Sequence, residues 1–147
     1  MSSFKAFDIA GSGMAAQSVR LNTTASNLAN AESVSGDPTK VYKPRHPIFE
    51  AVRASLQAGA GTGAGANGNG DAAVKVRGIY ESPAPPSARY EPGNPLANDQ
   101  GYVYAPSVNA VEEMVNMISA SRSYQNNVEV MNTSKELLLA TLRLGQG

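Results

Sequence analysis

Large apolar residues near the amino end recur every seven positions, at Phe7, Met14, Leu21 and Leu28. Interleaved with them is a second column of mostly small side chains, Phe4, Gly11, Ser18 and Ala25. Such repetition marks a helix that packs on another helix along a seam, so the pattern predicts a helix from about Phe4 to Ala31. Ser2 or Ser3 can cap its start. The run Ser33-Val34-Ser35-Gly36-Asp37-Pro38 stops it. A second helix is predicted from about Ala110 to Leu144. Its seam alternates steps of three and four through Met114, Met117, Ser121, Tyr124, Val128, Met131, Lys135, Leu138 and Leu142. Asn109 suits the cap, with Glu112 as a capping-box partner. Glu112 and Glu113 suit the positive end of the helix dipole, and Arg143 the negative end. At 1.5 Å per residue the helices span roughly 40 and 50 Å, which predicts an elongated molecule.

The pattern changes between the helices. Val41 to Phe49, VYKPRHPIF, is held extended by its prolines. Gln57 to Asp71, QAGAGTGAGANGNGD, is a low-complexity segment with the composition of a flexible loop. Ala72 to Tyr80 alternates Val74 and Val76 with Lys75 and Arg77, as a strand does. Pro92-Gly93 fits the centre of a type II turn. Asn98 to Gly101 forms another turn, leading into a short strand at Tyr102-Val103-Tyr104. The predicted fold class is α+β, with long terminal helices packed as an antiparallel coiled coil around a small β-rich insert. Residues 1–36 and 107–147 form the helical domain. Residues 37–106 form an insert of about three strands, containing the glycine-rich loop at 57–71. Few large apolar residues fall in the insert, so its core is thin.

Charge adds an unexpected feature. The 12 basic and 12 acidic residues balance, which argues against nucleic-acid binding or a polybasic membrane patch. Between Ile9 and Ala31 the only charged residue is Arg20. In the second helix, Arg122, Glu129, Glu136 and Arg143 share one column, and from Met114 onward only Lys135 lies outside it. Columns such as Ala120, Asn127, Ser134, Thr141 carry small or amide side chains where a solvated helix carries Lys and Glu. Such faces suit burial against several neighbouring helices, more than one chain supplies.

Candidate chemistry is sparse. The absence of Cys excludes thiolate chemistry and disulfides. Gly63-Ala64-Gly65-Ala66-Asn67-Gly68 matches a dinucleotide-binding spacing but follows no predicted strand and opens no helix. Asn69-Gly70-Asp71 is too short a ligand set for calcium. His46, the single histidine, sits between Arg45 and Pro47 without a catalytic partner. The expectation is a non-enzyme with no catalytic, cofactor or metal site. The first twenty residues lack the apolar core of a secretory signal peptide, and no stretch approaches a membrane span.

Leu21 to Glu32, LNTTASNLANAE, resembles the amino-terminal signature of flagellar rod and hook axial proteins, whose helix end reads Asn27-Leu28-Ala29-Asn30 here. Further stretches are similar to the proximal rod FlgC family: Asn94-Pro95-Leu96-Ala97, Gly101-Tyr102-Val103, Pro106-Ser107-Val108-Asn109, Glu113-Met114-Val115, and Arg122 to Gln146. Asn98 and Ser107 depart from that family's usual Asp and Asn, and both remain competent in turns and caps. The resemblance implies a structural subunit of the bacterial flagellar basal-body rod. It would polymerise through its terminal helices into the axial tube that transmits torque and passes exported subunits. It also implies export by the flagellar type III apparatus without a cleaved signal, into the periplasm-spanning rod. The implied partners are copies of the chain, other rod proteins and that export apparatus, with neither nucleic acid nor direct membrane insertion. Phe7, Met14, Leu21, Asn27, Leu28, Asn30, Met114, Met117, Tyr124, Val128, Met131, Leu138 and Leu142 are the expected helix- and subunit-packing residues. The alternatives are another rod/hook-family axial protein, or a soluble helical-hairpin adaptor or export chaperone that uses the seam to hold a client helix.

Overall fold

The computed structural model describes residues 3–53 and 72–145. The glycine-rich segment 57–71, with its nucleotide-like and calcium-like spacings, lies outside the described residues. In chain order the elements are α1 (Ser3–Ala29), β1 (Arg45–Arg53), β2 (Ala72–Glu81), β3 (Ser87–Tyr90), β4 (Tyr102–Ala105) and α2 (Ala110–Gly145). The fold is α+β, as the sequence pattern predicts. The insert holds four strands where about three were expected, because the short β3 has no apolar–polar alternation to announce it. All four of its residues are exposed.

The two helices lie side by side and antiparallel. A Cβ on Gly13 would meet the Asn127 amide at 2.8 Å, and Asn27 donates to Glu113 at the other end. The residue numbers of both pairs add to 140, so one register holds along the hairpin. On that register the end of α2 extends past Ser3 of α1. Asn109 caps α2, its Oδ1 accepting from the backbone N–H of Val111 and Glu112.

The buried stripe of α1 differs from the expected one. Ala10, Thr24 and Asn27 are buried and share a face with Gly13 and Arg20. Gly13, Arg20 and Asn27 each touch α2, and Arg20 reaches Asn116 at 3.1 Å. The Phe7, Met14, Leu21, Leu28 column is only half-buried and flanks this contact. Ser18 and Ala25 of the second expected column are exposed. On α2, the seam is likewise rotated by about one residue. Glu113 and Ala120 are its buried positions, whereas Met114, Lys135 and Leu142 face solvent. The reason is geometric: alanine, glycine and threonine let the backbones come close, and the large side chains are displaced to the flanks.

The β1–β2 ribbon lies along α1. Its strands are antiparallel, with Arg45 opposite Glu81 and Arg53 opposite Ala72. The register slips between Ile48 and Phe49, leaving Arg77 as a bulge. Val74 N–H donates to Ser12 Oγ near one end of α1, and Asn27 holds Arg45 near the other. The extended Val41–Phe49 segment of the sequence reading therefore becomes a strand from Arg45 onward.

A second two-stranded sheet pairs β3 with β4. Tyr90 and Tyr102 meet edge-on at 5.2 Å, and the chain at Ser35 pairs with Tyr104. Val103 and Ala105 fill the small core beneath. Glu91 to Asn94 forms a hydrogen-bonded turn, but Gly93 lacks the positive φ of the expected type II form. Pro92 fits position i+1 of types I and II alike, so it could not discriminate between them. Positive φ falls at Gly101 instead, at 80°, where the chain turns into β4. A Cβ there would also crowd the Tyr90 ring at 3.0 Å. Gly101→Ala is therefore expected to lose about 1–2 kcal/mol. A lowered urea midpoint followed by tyrosine emission checks this; an unchanged midpoint refutes it.

Candidate assembly surface and the polar node behind it

The buried apolar set of the described residues is almost all small: Ala10, Ala16, Ala31, Val41, Val103, Ala105 and Ala120. Val103 and Asn27 are the largest fully buried side chains. The large apolar residues lie outside, above all on α2. Val111 is 70% exposed, Val115 61%, Ile118 55%, Leu137 61% and Leu144 83%. An apolar face this extensive on one helix marks an interaction surface.

Five hydroxyl residues along the two helices are prepared for burial in a way that spacing alone does not reveal. Ser12 Oγ donates to Ile9 O, Thr23 Oγ1 to Val19 O and Arg20 O, and Ser26 Oγ to Asn22 O. On α2, Ser134 Oγ donates to Val130 O and Thr141 Oγ1 to Leu138 O. Each hydroxyl is satisfied by its own helix. A neighbour can cover such a face without stranding a donor, which Lys or Glu would not permit.

Asn27 organises the opposite, closed end. It is fully buried, and its amide makes four hydrogen bonds. Nδ2 donates to Arg45 O at 2.9 Å and to Glu113 Oε2 at 3.1 Å. Oδ1 accepts from Tyr42 O–H at 2.9 Å and from Arg45 N–H at 2.8 Å. One side chain thus ties the end of α1, the entry to β1 and the first turn of α2. Burial pushes the Tyr42 phenol up from its usual range, so it stays protonated and donates. Glu113 is 6% exposed. Its carboxylate stands in the first turn of α2, where the helix dipole favours negative charge. Arg45 pairs with Glu81 at 3.2 Å and lies 5.9 Å from the Tyr42 ring centroid.

The other packing residues expected from sequence are distributed unevenly. Asn30 is half-buried and folds back on α1, donating to Ser26 O at the helix end. Met131 is half-buried, its methyl 3.9 Å from where a Gly11 Cβ would stand. Met117, Val128 and Leu138 are half-buried, and Tyr124 and Leu142 are exposed. Sequence reasoning missed Tyr42, the Arg45 backbone and Glu113 as partners of Asn27. The only sequence sign was the Asn27-Leu28-Ala29-Asn30 helix end itself. His46 lies exposed on β1, opposite Tyr80. Among the described residues, no three His, Cys, Asp or Glu side chains cluster to hold a metal, and no helix is long and apolar enough to cross a membrane.

A family model described as flagella basal body rod protein matches residues 7–36. Another, flagellar basal body rod FlgEFG protein C-terminal, matches residues 99–144. The flagellar basal-body rod protein FlgC of Salmonella typhimurium is 51% identical over 140 residues, 95% of this chain and 96% of that one. The chain belongs to the FlgC family of flagellar basal-body rod proteins. The FlgC of Yersinia enterocolitica is 49% identical over 147 residues, covering 99% of this chain and all of that one. The FlgC of Aquifex aeolicus is 40% identical over 141 residues, 96% of each. Within the FlgC family chain described above, the two matched segments contain most of the helical hairpin, including Asn27 and Glu113.

Proposed function

We propose that the chain is a structural subunit of the flagellar basal-body rod that enters the rod wall through its α1–α2 hairpin. The observation that carries this is the exposed apolar face of α2 on a chain whose own buried residues are nearly all small. Neighbouring subunits cover that face, and where they also cover Ser134 and Thr141 those hydroxyls already donate within α2. Along the hairpin itself, Met117, Tyr124, Met131 and Leu138 flank the small-residue contact as knobs of an antiparallel coiled coil. The partners are copies of the chain and other rod proteins. Head-to-tail contacts that do not close give the helical wall of a tube that transmits torque and leaves a channel for exported subunits. Export runs through the flagellar type III apparatus, without a cleaved signal, into the periplasm-spanning rod.

The test is expression of the chain in a bacterium lacking its own member of the family. Restored swimming, with the chain present in purified basal bodies, is expected. A chain secreted normally but absent from basal bodies would refute the reading.

The same exposure predicts the behaviour of the isolated chain. Long helices in water draw most of their stability from packing, and here much of the packing surface is vacant. In dilute solution both helices are expected to fray, giving less helix by circular dichroism than the fold contains and protease-sensitive ends. Full helicity with resistant ends would instead favour the adaptor or chaperone alternative.

A further inference from the structure

Two apolar faces stand on opposite sides of α1. Gly13, Arg20 and Asn27 mark the side that meets α2. One residue further on, about 100° around the helix, lies the half-buried column Phe7, Met14, Leu21 and Leu28. One residue back, the same angle the other way, lie Ser12, Val19 and Ser26, and the ribbon sits there. Val74 N–H donates to Ser12 Oγ, and Ile79 shares a groove with Val19 and Ser26. Successive strand residues point to opposite faces. With Ile79 turned toward α1, Tyr80 turns away, and so do His46, Ile48 and Val52 on β1. Ile48 is 46% exposed, Val52 41% and Tyr80 48%. Gly78, opposite Ile48, leaves an open notch, with nothing within 4 Å of the place of a Cβ. Glu50 and Lys75 oppose each other on this outward face, so it carries no net charge there, and their long side chains reach its rim. The two faces run along the same stretch of α1. The ribbon is tied to it at Ser12 and at Asn27, roughly 22 Å apart, and the column spans that stretch from Phe7 to Leu28.

We propose that the outward face of the ribbon receives the α1 column of a second copy of the chain, lying alongside and pointing the same way. Because the two faces stand on opposite sides of one helix, a sideways step brings the column of one copy against the ribbon of the next. No shift along the axis is needed. The large side chains of the column then meet Ile48, Val52, Tyr80 and the notch at Gly78. Each copy presents one column and one ribbon, so neither face is used twice and the contact repeats from copy to copy. Column on column, or ribbon on ribbon, relates two copies by a two-fold axis and ends at a dimer. A copy turned end for end would carry its α2 to the other side of the layer, so that the α2 faces of the two copies no longer adjoin. The choice of a repeating contact rests on the rod-wall reading proposed above.

The chain contains no cysteine, so introduced cysteines report single contacts. Ala25 lies beside the column and His46 on the outward face of the ribbon, both exposed. They are level along the axis, since Asn27 holds Arg45. Within one copy they lie on opposite sides of α1, so a disulfide between them joins two copies. The full chain carrying Ala25→Cys and His46→Cys is oxidised within purified basal bodies, and linked dimers and higher multimers are expected. Ala25→Cys alone reports column on column, His46→Cys alone ribbon on ribbon, and Ala25→Cys with Val52→Cys an end-for-end neighbour; none is expected to link. Linkage by any of these controls above that of the 25/46 pair overturns the proposal. So does a double variant incorporated at the parental level without linked species, an outcome that leaves the rod-wall reading standing. Absence of the parental chain from basal bodies overturns both. A second arm needs no cysteine. Ile48→Lys changes a side chain already half in water, so secretion should hold while recovery in basal bodies falls about tenfold, as for an apolar side chain that loses its cover. Ser18 is exposed beside the column and level with Ile48 between the two ties. Adding Ser18→Glu should raise recovery about two- to fivefold, the worth of an exposed ion pair. Unchanged recovery of Ile48→Lys, or no gain on adding Ser18→Glu, refutes the contact.

Discussion

Replacing Asn27 with leucine is expected to remove the chain from the rod. Leucine has as many side-chain heavy atoms as asparagine and is somewhat bulkier, so the change opens no cavity. It does remove the partner of four buried or half-buried groups: the Tyr42 hydroxyl, the Arg45 N–H and C=O, and the Glu113 carboxylate. A stranded polar group costs about 1–3 kcal/mol, and more when charged. Four together cost at least ~4 kcal/mol, a large part of the margin of a small domain. Local relaxation cannot recover much of this, because the groups come from two segments, 42–45 and the first turn of α2, that this side chain bridges. Asn27→Asp separates the polar role from size. It keeps the acceptor toward Tyr42 and Arg45 but faces Glu113 with a second carboxylate, so it too should fail. The further change Glu113→Gln should partly rescue Asn27→Asp by supplying an amide donor, and should not rescue Asn27→Leu. Swimming and recovery of the chain in basal bodies are the readouts, with secretion followed separately. Normal incorporation of Asn27→Leu would show that the node is dispensable.

The amide at position 27 also shows what could be read from the sequence and what could not. Both helices, the Asn109 cap, the strand at Ala72–Glu81 and the turn before Tyr102 follow from local chemistry: spacing, capping residues, alternation and a glycine at positive φ. Those signals act within a few residues. The identity of the seam does not. A hydrophobic repeat points to the large side chains, so the Phe7 and Met117 columns stood out. The hairpin instead closes on Ala10, Gly13, Ala120 and Asn127, where absence of bulk permits close approach. The large side chains that the repeat detects are left half-buried or exposed, for other subunits to cover. In a protein that completes its core by assembly, the strongest hydrophobic column need not mark the contact within one chain. The same limit hid β3, which is exposed along its length, and the Tyr42–Arg45 side of the node, separated from Asn27 by a turn.

The second large effect separates the packed face of α2 from its outer one. Met131 is half-buried with its methyl against Gly11 of α1, while Glu129, two residues earlier, is exposed. Met131→Glu places a carboxylate against the α1 backbone, and the exposed Lys135 four residues on can offset only about 0.2–0.5 kcal/mol of the cost. A fully buried charge would cost more, but here the longer reach to water limits the loss to about 2–4 kcal/mol. Glu129→Gln keeps shape and hydrogen-bonding capacity and removes a charge already in water. Its cost to the fold is ~0–0.5 kcal/mol, and any further loss would come from contact with a second copy. The two substitutions lie on the same turn of the same helix, so helix propensity cannot account for a large difference between them. Met131→Glu should therefore abolish swimming while secretion persists, and Glu129→Gln should swim at or slightly below the parental rate. Met131→Gln, which carries no charge, should fall between them. If Met131→Glu swims normally and Glu129→Gln does not, the face turned toward Arg122 and Glu136 is the one packed within the chain.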